Sequence, residues 1–202
     1  RRSRFGNLLL SRRRVIQIFH HLLPRPPHGG VKHMPRQAIE AVVATAGGAV
    51  RVVTTHLEYH SSPQRLAQVA RLRELHAEVW GNLRAPPVAE EDGPYAARAR
   101  PAAVVICGDF NMTPGDPAYQ AMIAPFADDT PGFLDAWRVV HGDRAHAPTC
   151  GVFDHVQWPA GPHCRDYFFV SAPLAGRVRA LDVDVETDAS DHQPIRLILD
   201  EE

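Results

Sequence analysis

The sequence predicts a layered α/β fold, and three features lead to that expectation. Short runs of apolar and β-branched residues outnumber the segments with helical periodicity. Polar loops repeatedly follow the ends of these runs, and in layered α/β folds such loops carry the functional site. The 202 residues, of which 45% are hydrophobic and 22% charged, have the length and composition of one globular domain with a core. We therefore expect residues 1–202 to form a single α/β (α+β) domain.

Four strands are expected in the N-terminal part of the chain. Residues 5–11 form an apolar run bounded by glycine and arginines, which predicts a buried strand. Residues 15–19 alternate in character and predict a second strand. The β-rich runs at 38–46 and 49–55 are separated by two glycines, a spacing that favours a β-hairpin.

One long amphipathic helix is expected next. Ser62 is the expected N-cap and Pro63 the first helical residue. Apolar residues then recur every three or four positions, and Gly81 predicts the end of the helix. Residues 84–101 are rich in proline, alanine and charge, which predicts a flexible surface loop.

The C-terminal half predicts further strands and a short helix. An apolar strand is expected at 102–107, followed by a turn-rich loop and a short helix at 117–123. Three more strands are expected at 167–170, 178–185 and 195–199.

The charge of the chain limits its partners. The net charge is −1, which excludes a global basic field that would recruit nucleic acid or acidic membranes. Contact with a polyanion therefore needs a local patch. A cluster of arginines near the N-terminus is either a phosphate-binding patch or a solvated surface. This cluster consists of Arg1, Arg2, Arg4, Arg12, Arg13 and Arg14.

The cysteines and the apolar runs indicate a compartment. Cys107, Cys150 and Cys164 form no Cys-x-x-Cys pair, and an odd number of cysteines without a secretory segment fits a reducing cytoplasm. No apolar run approaches the ~18 residues that a membrane-spanning helix needs. We therefore expect a cytoplasmic protein without a membrane span.

Residues 108–111 read Gly-Asp-Phe-Asn directly after a predicted strand. Asp109 and Asn111 offer hard oxygen ligands, which suit Mg²⁺ or Mn²⁺ rather than zinc. Asn111 can also donate an N–H to a phosphate oxygen. However, Asp and Asn favour turns, so a plain Asx turn explains this segment equally well.

Acids and a histidine also flank the C-terminal strands. Asp191 and His192 precede the last strand, where Asp191 could bind a metal ion and His192 could contact water or phosphate. A pair of this kind in a loop is more often ordinary surface. Asp166 begins the strand near 167–170, where a buried acid needs a partner. It could orient a histidine or pair with the adjacent Arg165.

A histidine pair offers a zinc alternative. His56 and His60 are four residues apart with Glu58 between them. The metalloprotease pattern needs Glu directly after the first His on a helix. Here the segment leaves a strand and precedes a helix start, so a zinc hydrolase is the weaker alternative.

Taken together and in this order, the segments resemble the motifs of the endonuclease/exonuclease/phosphatase superfamily, the DNase I-like enzymes. Residues 108–111 and 190–192 match its two most specific motifs. Residues 5–12 are similar to its Phe-Gly-Asn strand, 55–57 to its Thr-His strand end, and 166–171 to its Asp-Tyr strand. The resemblance covers nearly the whole chain.

The resemblance implies a four-layer α/β sandwich of DNase I-like type, with two packed mixed β-sheets and helices outside. It implies metal-dependent hydrolysis of a phosphodiester or phosphomonoester, in a nucleic acid or a small phosphorylated molecule. It also implies that Asp109, Asn111 and Asp191 bind Mg²⁺ or Mn²⁺.

The same resemblance implies the catalytic residues. Asp109 orients the attacking water, Asn111 contacts the phosphate, and His56 touches it. His192, held by Asp166, acts as a base or as a hydrogen-bond donor to the transition state. Asp166 and a ring nitrogen of His192 should then lie within hydrogen-bonding distance.

Two departures from the family pattern matter. An Asn on the first strand and a metal-binding Glu on a later one would both precede Arg1, so we expect a C-terminal portion with the N-terminal part absent. The first strand should then have an exposed edge. The missing Glu leaves open a non-catalytic binding fragment or pseudoenzyme. In addition, Arg165 stands where the family often has an apolar residue.

Overall fold

The computed structural model of the chain describes residues 5–200, so Arg1, Arg2 and Arg4 of the arginine cluster lie outside the described residues. The strands are β1 (Val15–Leu22), β2 (Gln37–Thr45), β3 (Gly48–His56), β4 (Val104–Asp109), β5 (Phe133–Asp135), β6 (Asp166–Ser171), β7 (Val178–Val183) and β8 (Ile195–Leu199). The helices are α1 (Ser62–Arg84), α2 (Pro117–Ile123), α3 (Ala136–His141) and α4 (Ala172–Ala175).

Two sheets organise the fold. The large sheet has six strands in the order β1-β2-β3-β4-β6-β5, and the small sheet pairs β7 with β8. In the large sheet β3 and β4 run parallel, whereas the other neighbours run antiparallel. The large sheet is therefore mixed. Because β3 and β4 are parallel, their carboxyl ends meet at one edge of the sheet.

Helices cover one face of the large sheet. Val53 and Ile106 of the sheet pack with Val69 of α1 and Met122 of α2 in a cluster of buried residues. Burial of such side chains stabilises the layer by about 1.5–3 kcal/mol each.

The small sheet covers the other face. Val105 and Val170 of the large sheet pack with Trp137 of α3 and Leu181 of β7. The partly buried Leu197 of β8 joins the same cluster. The two sheets therefore pack face to face with α1 and α2 outside, which confirms the predicted fold class.

The predicted hairpin is confirmed, and the predicted helix is confirmed with shifted ends. β2 and β3 pair antiparallel up to Thr45 and Gly48 at the turn. The N-cap of α1 is Ser61, whose hydroxyl accepts a hydrogen bond from the Gln64 N–H (3.3 Å), and not Ser62. The helix, expected to end near Gly81, continues three residues further to Arg84. A glycine in a helix costs only about 1 kcal/mol, which packing readily offsets.

The buried strand predicted at 5–11 is wrong. This segment pairs with no strand, and Phe5, Leu8 and Leu10 are 69%, 75% and 84% exposed. A side chain holds it against the sheet instead, because Asn7 Nδ2 donates to the backbone oxygens of Gln37 (3.0 Å) and Thr54 (3.2 Å). The first strand is β1, which lies at the edge of the large sheet. The exposed edge expected for a strand at 5–11 has no counterpart, because that strand does not form.

The sequence does not predict the short elements β5 and α3. β5 and α3 span three and six residues, too few for a hydrophobic period to be visible. Asp135 joins them, because its carboxylate accepts the Trp137 N–H at 2.8 Å and caps α3. The segment 84–101 begins at the last residue of α1, leads towards β4 and is mostly exposed. Its flexibility stays a prediction.

None of the helices in residues 5–200 combines the length and hydrophobicity that crossing a membrane requires. All three cysteines are unpaired. The cytoplasmic location stays a prediction.

Candidate active site

Three strand ends bring the first site residues together. His56 ends β3 and Asp109 ends β4, and the parallel pairing places their Cα atoms opposite each other. Asp166 begins β6 and lies opposite Asp109 in the antiparallel pairing. Three side chains that are far apart in sequence therefore meet where the ends of three neighbouring strands lie side by side.

A glycine allows β4 to approach β3 closely beside the site. Gly108 has a φ of +135°, and a Cβ at this position would lie 2.0 Å from the carbonyl oxygen of Thr55. Since a side chain would clash with backbone, the glycine of the Gly-Asp-Phe-Asn motif is required by local geometry.

The turn after β4 fixes Asp109 and Asn111 relative to each other. Asn111 has a positive φ of 51°, which Asn tolerates better than most residues. Its backbone N–H donates to Asp109 Oδ1 at 2.8 Å, which is the Asx turn considered from the sequence. Its side-chain Nδ2 donates to the Leu57 carbonyl at 2.9 Å. One of the two N–H groups of this amide is therefore engaged, and the second N–H and the amide oxygen are left for a ligand.

The predicted pairing of Asp166 with His192 is confirmed. His192 Nδ1 lies 2.7 Å from Asp166 Oδ2, and its Nε2 lies 3.9 Å from Asp109 Oδ2. His56 Nε2 lies 3.3 Å from the same oxygen of Asp109. Asp166 thus binds His192 rather than the adjacent Arg165, which packs over the ring of Trp158 at 4.7 Å.

The pKa values of Asp109, His192 and His56 are shifted in different directions. Burial and then the nearby Asp166 carboxylate raise the pKa of Asp109 to about 6. The hydrogen bond to Asp166 raises the pKa of His192 to about 9 against the effect of burial. Burial and then the charge of Arg36 lower the pKa of His56 to about 4. His56 is therefore neutral at pH 7, and its approach to Asp109 is not an ion pair.

These strand ends open into one cavity of about 540 Å³. All the predicted site residues except Asp166 line it: His56, Asp109, Asn111, Asp191 and His192. Asp166 lies behind His192, on the side away from the cavity. The expected convergence of these residues on one cavity is confirmed, while their roles stay predictions.

Oxygen donors at this cavity suit a hard cation. Asp109 and Asp191 carry carboxylates, and Asn111 adds an amide oxygen. Within residues 5–200, however, no group of three or more His, Cys, Asp or Glu side chains is arranged to hold a metal ion. Mg²⁺ commonly binds through one or two carboxylates and keeps several waters, so this donor set fits such an ion without enclosing it.

Glu58, which lies between the two histidines considered for zinc, is occupied by hydrogen bonds within the chain. Glu58 is buried, and its carboxylate accepts N–H groups from Met34 (3.2 Å), His60 (3.0 Å) and Arg36 (3.3 Å). A carboxylate with three donors connects two loops, which accounts for Glu58 without a metal ion.

Several cavity residues were missed in the sequence. Lys32 and Arg36 reach it from the loop between β1 and β2, and Trp158 reaches it from the loop before β6. Thr149 was also missed, although its hydroxyl lies 2.7 Å from Asp166 Oδ2. These residues lie in irregular loops without a period or motif, so no local signal could have found them.

The sequence of the chain matches a known protein family. The model of the Endonuclease/Exonuclease/phosphatase family matches residues 1–192. The chain belongs to this family. Comparison with curated protein sequences gives no match.

Solved structures of the family share the fold at low sequence identity. An endonuclease/exonuclease/phosphatase family protein from Bacteroides thetaiotaomicron is 17% identical with a TM-score of 0.62, over 91% of this chain and 64% of that one. A mannosyl-6-phosphatase from the same species is 17% identical with a TM-score of 0.61, over 92% and 67%. A 3′ phosphatase from Neisseria, bound to a product DNA hairpin, is 20% identical with a TM-score of 0.60, over 94% and 73%.

The chain thus spans about two thirds of the length of the solved structures it matches. At these identities the likeness concerns the fold alone.

Proposed function

We propose that the chain carries a large part of the active site of a phosphoester hydrolase that cleaves P–O bonds by attack of water. The observation that carries this proposal is the convergence of His56, Asp109 and the Asp166–His192 pair on one cavity. The names of similar proteins, a mannosyl-6-phosphatase and a 3′ phosphatase, support phosphoesters as the class of substrate.

In this proposal Asp109 orients the attacking water. Its Oδ1 is held by the Asn111 N–H, and its Oδ2 faces both His56 and His192. A water that donates a hydrogen bond to this carboxylate has its oxygen free to attack phosphorus. A bond from the water oxygen to phosphorus forms and the bond to the ester oxygen breaks. The attacking water loses one proton and the departing oxygen takes up one, so the protons balance.

In this proposal His192 acts on the phosphate next to Asp109, since its Nε2 lies 3.9 Å from Asp109 Oδ2. Its Nδ1 is held by Asp166, so Nε2 is the nitrogen that faces the cavity. In its protonated form Nε2 donates a hydrogen bond to a phosphate oxygen as negative charge develops, and in its neutral form Nε2 accepts a proton from water. His56, on the opposite side of Asp109, contacts the phosphate.

We further propose that Mg²⁺ or Mn²⁺ binds at this cavity through Asp109, Asn111 and Asp191. The donor chemistry supports this ion class, and the under-neutralised Asp109 carboxyl benefits from a positive charge. When bound, the ion neutralises charge on the phosphate and lowers the pKa of water. Binding is measurable by titration of the chain with Mn²⁺ followed by electron paramagnetic resonance, whether or not turnover occurs.

A non-catalytic binding module is the second candidate. The observation that favours it is the lack, within the described residues, of a group of three metal-binding side chains. Such a module would bind phosphate in the cavity without turning it over. Saturable binding of a phosphoester that persists unhydrolysed with Mg²⁺ or Mn²⁺ would favour this candidate.

The test is a hydrolysis screen. The chain is incubated with Mg²⁺ or Mn²⁺ and a panel of phosphodiesters, phosphomonoesters, single-stranded DNA and RNA. We expect metal-dependent release of alcohol or phosphate from at least one class, and its loss with EDTA. Turnover that is equally fast in Asp109→Ala would contradict the proposal.

A further inference from the structure

A buried threonine lies behind the Asp166–His192 pair and contacts both of the segments that carry it. Thr149 is 1% exposed and precedes β6 in a loop. Its hydroxyl donates to Asp166 Oδ2 at 2.7 Å, the same oxygen that binds His192 Nδ1. The hydroxyl oxygen also accepts the backbone N–H groups of Arg165 (2.9 Å) and Asp166 (3.1 Å).

The three contacts use the full capacity of the hydroxyl. A threonine hydroxyl has one proton to donate and two lone pairs to accept with. Since both lone pairs receive backbone N–H groups, its proton is directed to Asp166 Oδ2. The direction of this hydrogen bond is therefore fixed by the surroundings rather than by free rotation of the hydroxyl.

The backbone of Thr149 holds the histidine segment as well. The Gln193 N–H donates to the Thr149 carbonyl at 2.7 Å, and the adjacent Cys150 forms an isolated β-bridge with His192. One residue thus joins the start of β6, which carries Asp166, to the loop before β8, which carries His192. Loops of this kind otherwise vary in relative position.

We propose that Thr149 is a positioning residue that fixes the Asp166 carboxylate, and through it the imidazole of His192, in the orientation needed for phosphoester hydrolysis. This inference rests on the proposed function for its kinetic part. The rotation of the Asp166 carboxylate decides whether Oδ2 meets His192 Nδ1. Without the hydroxyl, Oδ2 keeps one donor instead of two, and two part-buried backbone N–H groups lose their acceptor.

The test compares three variants of the whole chain. Thr149→Val removes the hydroxyl at nearly constant shape, and Thr149→Ser keeps it. Thr130→Val makes the same change at a buried threonine outside the cavity. We expect Thr149→Val to lower kcat about tenfold, with KM nearly unchanged, because the missing charge-assisted hydrogen bond orients Asp166 and makes no contact with substrate. Thr149→Ser should recover most of kcat, and Thr130→Val should keep it.

A second readout does not depend on turnover. In ¹⁵N-edited NMR spectra the Nδ1 proton of His192 should give a downfield resonance in the unaltered chain, in Thr149→Ser and in Thr130→Val. In folded Thr149→Val this resonance should shift upfield or broaden through exchange. An unchanged resonance would overturn the positioning role, even if the chain hydrolyses phosphoesters. If no variant turns over substrate but the resonance behaves as expected, the proposed function fails while the positioning role stands.

Discussion

The ionisable side chains at the active-site cavity and those around Glu40 both pack beside the large sheet, and the two groups are built in opposite ways. The cavity group consists of His56, Asp109, Asp166 and His192 at the strand ends. The sealed group surrounds Glu40 on β2, which is 1% exposed. Its other members are His21, Arg51, His76 and Arg100.

In the sealed group, neighbouring cations bind the Glu40 carboxylate and balance its charge. Arg100 donates twice to the Glu40 carboxylate, at 2.9 and 3.1 Å, and His21 Nε2 lies 3.1 Å from it. Burial raises the pKa of Glu40, but these hydrogen bonds and the charge of Arg51 outweigh it and bring the pKa down to about 2. In the cavity group burial and then the neighbouring Asp166 carboxylate raise the pKa of Asp109 to about 6. Neighbouring cations balance the charge of Glu40, as is usual in a structural network. The charge of Asp109 is poorly balanced, which is typical of a site that binds a ligand.

The largest expected effect is on activity. Asp109→Asn removes the charge that orients water, so hydrolysis of a generic phosphodiester with Mg²⁺ should fall by about 10²–10⁴-fold. Its melting temperature at pH 8 should stay equal or rise, because a poorly neutralised buried carboxylate is removed. Asp143→Asn, a change at an exposed acid, should alter neither quantity. A marked loss of stability in Asp109→Asn would mean that the cavity group resembles the sealed one.

Glu40→Gln should have the opposite profile. It leaves Arg51 and Arg100 without their carboxylate, and breaking a buried pair costs about 3–5 kcal/mol of unfolding free energy. Urea denaturation measures this loss, while activity per folded molecule should be retained. Glu74→Gln, at an exposed pair with Arg71, should cost less than about 1 kcal/mol. Equal costs for the two variants would contradict the distinction.

Acid should weaken the sealed group in two stages. His76 Nδ1 accepts from Arg51 at 2.9 Å, and burial followed by the charge of Arg51 lowers its pKa from 6.5 to about 4. Both His76 and Glu40 have folded pKa values below their ordinary ones, so their stabilisation is present at neutral pH and is lost as pH falls. We expect losses of roughly 3 kcal/mol between pH 6.5 and 4 from His76, and of similar size between pH 4.5 and 2 from Glu40.

Urea denaturation at a series of pH values tests this order. In Glu40→Gln the loss in the lower pH window should disappear. Stability that is independent of pH between 6.5 and 4 would show that His76 is not held in its neutral form.

The smallest expected effect concerns the basic rim of the cavity. Lys32 lines the cavity from an exposed position, and Arg25 lies in the same loop but does not line it. Lys32→Gln should raise KM for an anionic phosphoester about threefold at low salt, and the effect should shrink at high salt. Arg25→Gln is the matched control and should leave KM unchanged. Similar changes in both variants would assign the effect to general charge rather than to the cavity.

Much of the fold can be predicted from local sequence patterns. The two glycines after the β2 run and the Ser-Pro pair at the start of α1 specify a turn and a helix start by short-range geometry, so the sequence predicts both. The apolar run at 5–11 was misread because hydrophobicity alone does not say whether a neighbouring strand is available. Phe5 instead packs at 5.4 Å against the ring of His56, a contact between residues far apart in sequence.

The site was predictable where a motif had a family counterpart. Asp109, Asn111 and His192 belong to such motifs, whereas Thr149 and Arg36 act through contacts that only the folded chain creates. Asp166 lies between these cases. Its partner His192 is unrelated to it by any local period, and the pairing followed from the family resemblance rather than from spacing.

The parallel pairing of β3 with β4 has a consequence for how the site comes into being. The connection between β3 and β4 consists of α1 and the loop that follows it. His56 and Asp109 lie opposite each other only after this whole connection has folded and β4 has paired with β3. Long-range parallel contacts form late, and a slip of one residue would turn the two side chains to opposite faces. If Mn²⁺ binds as proposed, its binding should therefore recover more slowly during refolding than the far-ultraviolet signal of helix formation, because the site needs the complete topology of the chain.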